Sequence, residues 1–167
     1  MSVVSDIEAW RGVGEVEPYI ETSLRLTTGD ETRNTVVKGI LKEANLYNLY
    51  LISGGPVSVD DEGILLSRAF KERTTIKPGD IIELDVPFLQ KTVQILVTGF
   101  VDDRSGYGGF LPLGKIQEIF GLDDKVTGVM IKLSNSTYEK EVKERLYQNY
   151  PVLFVESTEE TKKDWVA

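Results

Sequence analysis

Residues 15–27 alternate in character at every position, and this run constrains the fold more than any other feature of the sequence. Val16, Pro18, Ile20, Thr22, Leu24 and Leu26 fall on one side; Glu15, Glu17, Tyr19, Glu21, Ser23 and Arg25 fall on the other. Successive side chains of an extended chain point to opposite faces, so the run predicts one long strand with a dry face and a wet face. A helix would scatter the same residues around its circumference. Pro18 has no N–H for a ladder, which predicts a position near an edge or bulge. Thr28–Gly29–Asp30 turns the chain and residues 35–41 bring it back, so the pair reads as a hairpin.

The middle of the chain is broken into short pieces. Residues 42–56 are too apolar for a free loop, and read as a short helix or irregular lid on a core, with Tyr47 and Tyr50 turned inward. Asp60–Asp61–Glu62–Gly63 is a turn before a strand at residues 64–66, and Ser67 is placed to cap a helix running to Arg73. Lys77–Pro78–Gly79–Asp80 is a tight turn, since proline presets φ and glycine accepts the left-handed position. Ile82, Leu84 and Val86, then Val93, Ile95 and Val97, mark two half-buried strands. Residues 102–109 read as a glycine-rich loop, and residues 115–120 as a short helix stopped by Gly121.

The two ends have a different texture. Residues 4–11 read as a helix with Ser5 as cap and Glu8 three positions on. Residues 126–133 form an apolar strand, after which Ser136 and Glu139 match a capping box. In the following helix Glu139/Lys143 and Glu141/Arg145 pair at a spacing of four, and Tyr138, Val142, Leu146, Tyr147 and Tyr150 make an apolar stripe. Pro151 ends it, and residues 152–155 run as a strand apolar on both faces. This predicts a strand–helix–strand unit with parallel strands and a right-handed crossover, neighbouring the strand at residues 15–27. The fold class is α+β: an α/β subdomain from residues 1–41 and 122–157 is interrupted by a mostly β subdomain at 42–121. Residues 158–167 read as a linker.

The chemistry available is narrow. With no histidine and no cysteine, a Ser-His-Asp triad, a histidine zinc site and thiol chemistry are all excluded. Ser67 and Lys71 stand four apart, but fit a helix cap and a wet-face lysine better than a catalytic pair. Asp60–Asp61–Glu62, Asp102–Asp103 and Asp123–Asp124 lie at turns and lack the ligand spacing of a calcium loop. Gly106–Tyr107–Gly108–Gly109 has neither the Gly-Lys-Ser/Thr of a phosphate loop nor a long helix behind it. No catalytic residue, metal ligand or cofactor is assigned, and the chain is not read as an enzyme. The glycine-rich loop is expected to be a flexible tip that displays Arg104 and Tyr107 to a partner. Tyr19, on the wet face of the first strand, is the third candidate contact.

Charge limits the partners. Twenty-seven acidic residues against 19 basic ones give a formal charge of −8, which repels a phosphate backbone, and the densest basic stretch, residues 132–145, is interleaved with glutamates. Nucleic acid is therefore not an expected partner. No window approaches the roughly 18 apolar residues that a membrane helix requires. The first residues do not resemble a signal peptide.

Several stretches, taken in order, resemble the extracytoplasmic core domain of the MacB/FtsX-like family of ABC transporter permeases. They are Val13–Gly14–Glu15–Val16–Glu17–Pro18, Val36–Val37–Lys38–Gly39–Ile40, Glu62–Gly63–Ile64–Leu65–Leu66–Ser67 and Ile76–Lys77–Pro78–Gly79–Asp80–Ile81–Ile82–Glu83–Leu84. Val97–Thr98–Gly99–Phe100 and Phe110–Leu111–Pro112–Leu113, leading to Ile116–Gln117–Glu118–Ile119–Phe120–Gly121, continue the series. The resemblance implies a discontinuous porter-like subdomain interrupted by a β-rich one, on the extracytoplasmic side of the cell membrane. It implies tethers to membrane helices upstream of Ser5 and downstream of Trp165, with residues 158–167 leading toward one of them. It also implies partnership with a cytoplasmic ABC ATPase, a second permease subunit and an extracytoplasmic accessory protein, and it brings no catalytic residue. As no membrane segment is present, the chain is expected to be a domain excised from its parent. The competing reading is a free-standing module that binds a small ligand or a protein through the β-rich part, since the Lys77–Asp80 type of turn also occurs in small barrels.

Overall fold

The protein is described by a computed structural model covering residues 2–29, 31–121, 125–151 and 155. The elements in chain order are α1 (Ser2–Glu8), β1 (Val13–Thr28), β2 (Glu31–Ile40), β3 (Leu49–Tyr50), β4 (Pro56–Val57), β5 (Ile64–Ser67) and α2 (Arg68–Arg73). They continue with β6 (Ile81–Val86), β7 (Lys91–Val101), β8 (Gly108–Pro112), α3 (Leu113–Phe120), β9 (Gly128–Leu133) and α4 (Glu139–Asn149). This mixture of helix and strand is of the α+β class.

Two compact units share the chain, one from Glu17 to Met130 and one from Ser2–Val16 together with the residues from Ile131 onward. The first is a closed barrel. β1 and β2 form the expected antiparallel hairpin, paired from Ile20↔Gly39 to Thr28↔Glu31, with Gly29 at a φ of 56° in the turn. β2 then pairs in parallel with β8, from Val36↔Gly108 to Ile40↔Pro112. β8 is antiparallel to β5, β5 parallel to β7, and β7 antiparallel to β6. β6 returns antiparallel to β1 at Arg25↔Asp85, Leu26↔Leu84 and Thr27↔Glu83. The order β2-β8-β5-β7-β6-β1 therefore closes on itself, and Pro18 lies just outside the β1–β2 ladder, where its missing N–H does no harm.

The dry face of β1 faces inward, as its alternation requires. Ile20, Leu24 and Leu26 join Val37, Ile64, Leu66, Ile82, Leu84, Val97 and Leu111 in one cluster. Phe70 of α2 and Leu113, Ile116 and Ile119 of α3 belong to the same cluster. A barrel of this strand number has an interior that side chains fill completely. A second apolar cluster of Ile40, Leu49, Val59, Leu65, Val101 and Phe110 lies on the other face of β5 and β8. Leu65 and Phe110 point to this cluster, while Ile64, Leu66 and Leu111 point to the first. Both strands are thus buried on both faces, which explains why neither shows alternation. Residues 108–112 were expected to be loop and the approach to a helix; they are instead the strand β8.

Leu49, in the segment spanning residues 42–57, helps cover the second cluster, and the segment is an irregular lid with the two-residue strands β3 and β4 and no helix. Glu17, expected on the wet face, is buried to 6% exposure and accepts the backbone N–H groups of Asn45 (2.7 Å) and Leu46 (3.0 Å). Burial of a carboxylate is tolerable when its lone pairs are taken up this way. Tyr47 packs inward beside Phe110 at 5.8 Å between ring centroids, but Tyr50 is 55% exposed, contrary to expectation. Tyr50 lies on β3 next to the buried Leu49, and neighbours on a strand face opposite ways.

The second unit is assembled from two stretches distant in sequence. Among its described residues the buried apolar side chains are Ile7, Val16, Val142 and Leu146. Trp10 stacks on Tyr150 (6.1 Å), and the Arg145 guanidinium lies 4.8 Å from the Trp10 ring in place of the expected ion pair with Glu141. Gly12, at a φ of 87°, lies under Tyr138, where a Cβ would come within 2.4 Å of ring and Cβ atoms. Two caps differ from expectation. α1 begins at Ser2, so Ser5 lies inside it; ahead of α4, Asn135 caps a 3-10 turn, its side chain accepting the Thr137 N–H at 3.0 Å, and α4 itself starts after Tyr138 with no side-chain cap. Ser136 opens a 3-10 turn instead, so the Ser136/Glu139 box does not form the cap, whereas Glu139 and Lys143 do pair at 3.3 Å. Tyr147 of the predicted stripe is exposed. The strand expected at residues 152–155 and the linker at 158–167 lie outside the described residues, apart from Val155.

These units divide at 16/17 and 130/131, whereas the sequence placed the boundaries at 41/42 and 121/122. The reason is that β1 and β2 supply two staves of the barrel through pairings to β6 and β8. Close approach within that barrel generates a test. A Cβ on Gly63 would stand 2.0 Å from the Leu96 carbonyl oxygen, a backbone atom that cannot rotate away. Gly63→Ala is expected to destabilise the protein by about 1–3 kcal/mol, the usual range for overpacking. Urea unfolding followed by circular dichroism checks this, and an unchanged midpoint would show that the two backbones are not in contact.

Candidate contact surface

The loop between β7 and β8, residues 102–107, contains two of the three expected contact residues, and its composition suggested mobility. Its surroundings say otherwise. Ser67, fully buried at the end of β5, donates its Oγ hydrogen to the Gly106 carbonyl (2.6 Å) and accepts the Gly108 N–H (2.9 Å). That hydroxyl therefore fastens the loop; it neither caps α2 nor is free to act as a nucleophile beside Lys71. The Arg68 N–H donates to the Asp103 carbonyl (3.3 Å), and Asp103 Oδ1 accepts from both Ser105 N–H and Oγ. Asp residues hold turns locally in this way.

Arg68 ties helix to loop through its side chain as well, reaching Glu72 at 2.5 Å and Asp102 at 3.0 Å. Hydrogen bonding from Arg68, more than any other influence, holds the Asp102 carboxyl below its ordinary range. Arg104 is displayed as expected: its side chain is 75% exposed and reaches Asp102 only at 3.5 Å. Tyr107 is not displayed. It is half-buried, edge-on to Phe70 at 4.9 Å, with the Arg33 guanidinium 4.8 Å from its ring and Arg33 Nη1 donating to its hydroxyl at 2.9 Å. Its carbonyl also accepts the Val36 N–H. Tyr107 is thus an anchor that an aromatic ring near a glycine pair concealed.

Tyr19 belongs to a different cluster. It is half-buried over Gly128, and the Lys38 ammonium lies 5.7 Å from its ring, 4.7 Å from that of Tyr47 and 3.6 Å from Glu21. A cation between two aromatic faces is held electrostatically by both. Burial raises the Tyr47 phenol above its ordinary pKa, an effect the nearby Lys38 opposes. The structure therefore separates the three candidates: Arg104 is accessible, while Tyr107 and Tyr19 are engaged. Arg68 and Arg73, which line the cleft beside Arg104, escaped notice because the helix carrying them is far from the loop in sequence. Among the described residues no group of three acidic side chains is arranged to hold a metal ion.

No protein-family model and no curated protein sequence matches the chain. Solved structures do. The extracellular domain of the noncanonical ABC-type transporter YknZ from Gram-positive bacteria is 14% identical, with a TM-score of 0.64 over 85% of this chain and 76% of that one. The periplasmic region of MacB from Actinobacillus actinomycetemcomitans is 20% identical, with a TM-score of 0.61 over 88% of this chain and 72% of that one. This chain has their fold. A domain of a permease protein from Porphyromonas gingivalis is also similar, at 15% identity and a TM-score of 0.52, covering 82% of this chain and 63% of that domain. At such identities the likeness concerns the fold, and the chemistry of the loop must be judged on its own residues.

Two outcomes are expected here. Ser67→Ala leaves the buried Gly108 N–H without its partner, a loss of about 1–3 kcal/mol. Hydrogen exchange at Gly108 should accelerate well beyond that of the barrel strands, and equal protection in the variant would show that the loop is held by other contacts. The Asp102 tie has a pH signature. Its folded pKa is depressed, so its contribution is present above the unfolded value of about 3.9 and fades as pH falls through the lower folded value. The thermal midpoint of Asp102→Asn should lie slightly below the parent's at pH 7 and converge with it in strong acid.

Proposed function

We propose that this chain is the extracytoplasmic domain of an ABC transporter permease, without catalytic activity of its own, which contacts a partner or guides cargo and relays ATP-driven motion. The observation that carries the reading is the shared fold with extracellular and periplasmic transporter domains over more than four-fifths of the chain. A second observation supports it. Two stretches distant in sequence, Ser2–Val16 and the described residues from Ile131 onward, assemble into one unit. A domain tethered at two points to membrane helices needs such an arrangement, and in this reading that unit serves as the porter-like part. The barrel, filled by side chains and anchored by helices, is the stiff member that could carry displacement. In this reading a cytoplasmic ATPase and a second permease subunit act through the membrane part, an accessory protein contacts the outer surface, and no cofactor is used. The packed barrel interior gives little support to a module that holds a small ligand inside it.

The domain contributes no cysteine of its own, so the test is run in a parent protein whose remaining cysteines have been replaced. In the parent protein, Ser53→Cys places a thiol in an exposed turn of the lid. A membrane-impermeant maleimide should label it in intact cells, and the reading frame should encode membrane helices on both sides of the domain. Labelling only after lysis would overturn the proposal.

A further inference from the structure

The chain's charge is strongly acidic, yet one surface cleft is lined by arginine. Arg68, Ala69, Glu72, Arg73, Arg104 and Gly106 border an open space of about 320 Å³ between α2 and the 102–107 loop. Its walls are fixed, since Ser67 pins the loop at Gly106 and Gly108, and the Tyr107 ring is wedged against Phe70. Among the three guanidinium groups, Arg68 is already committed to Glu72 and Asp102. Arg104 is mostly solvent-exposed and only distantly paired, and Arg73 is exposed at the end of α2. The cleft thus pairs one neutralised, positioned arginine with two that offer their donors outward. Guanidinium groups match carboxylate and phosphate oxygens in fork geometry.

We infer that this cleft binds a localised anionic group, a carboxylate or phosphate, held chiefly by Arg73 and Arg104. The chain's charge of −8 selects against extended polyanions. A nucleic acid or an anionic membrane would bring the surrounding acidic surface into repulsion, whereas a small anion meets chiefly the three guanidinium groups, which outnumber the Glu72 and Asp102 carboxylates beside them, because the Debye length at 0.1 M salt is only about 10 Å. The cleft has few apolar walls, which argues against a hydrophobic ligand. The inference does not depend on the permease reading, as the arginines converge whatever the parent protein does.

The side-chain Nε–Hε resonances of Arg68, Arg73 and Arg104 report on the cleft directly. The chain is titrated with inorganic phosphate, with citrate and with a pentaglutamate peptide at low ionic strength. The expected result is saturable shifts at Arg73 and Arg104 with at least one probe. Replacing both by glutamine should weaken binding by about tenfold or more, the effect of removing two charge-assisted hydrogen bonds. Lys77→Gln with Lys115→Gln, an equal change of net charge elsewhere, should leave affinity nearly unchanged. Tighter binding of the peptide than of phosphate or citrate identifies an acidic protein segment as the source; the reverse identifies a small ligand. Shifts that grow linearly with every probe to tens of millimolar overturn the proposal. So does equal binding by the arginine double variant, whose fold is verified by its thermal midpoint.

Discussion

β1 pairs on one side with β2 and on the other with β6, and the barrel exists only because a single strand does both. If either ladder failed, β1 and the partner it lost would present unpaired N–H and C=O groups, and the interior cluster would open to water. This double pairing turns the alternation of residues 15–27 into an architectural requirement. Ile20, Leu24 and Leu26 of that run are apolar because they face the closed interior; its outward residues answer to local neighbours. Glu17 and Tyr19 show how varied those neighbours are, one satisfying lid amides and the other lying near a lysine.

The same closure dictates how the loop beside α2 behaves. β8 is a stave buried on both faces, so its first residue cannot wander, and Ser67 from the neighbouring stave holds it. Glycines here permit close approach more than motion. A Cβ on Gly109 would press on Ile64 at 2.8 Å, and one on Gly39 would meet Ile116 at 2.9 Å. Glycine-rich composition and rigidity are compatible when the missing side chains are replaced by neighbours.

What the sequence made legible was whatever depends on adjacent residues. The β1–β2 hairpin, the Lys77–Asp80 turn and the β6–β7 pair announce themselves by period two and by turn chemistry, and the structure has each of them. Fold class and the resemblance to permease domains were also readable. The rest was not. β8 hides because strands buried on both faces lose their alternation. The parallel pairing of β2 with β8 has no local signature, so the division of the chain into units fell in the wrong register with the barrel. The cleft of Arg68, Arg73 and Arg104 joins residues whose proximity is created only by folding, and Tyr107 looked exposed because nothing nearby in sequence reveals Phe70 or Arg33.

The parallel ladder between β2 and β8 has a consequence for how the molecule is made. Val36 emerges from the ribosome long before Gly108, its partner, has been synthesised. The early hairpin therefore waits with one edge open, and contacts so distant along the chain form slowly. The unit containing α1 waits longer still, because Ile7 and Val16 share their unit with Val142 and Leu146, which are among the last described residues to appear. Biogenesis must shelter the first strand until nearly the whole domain is available.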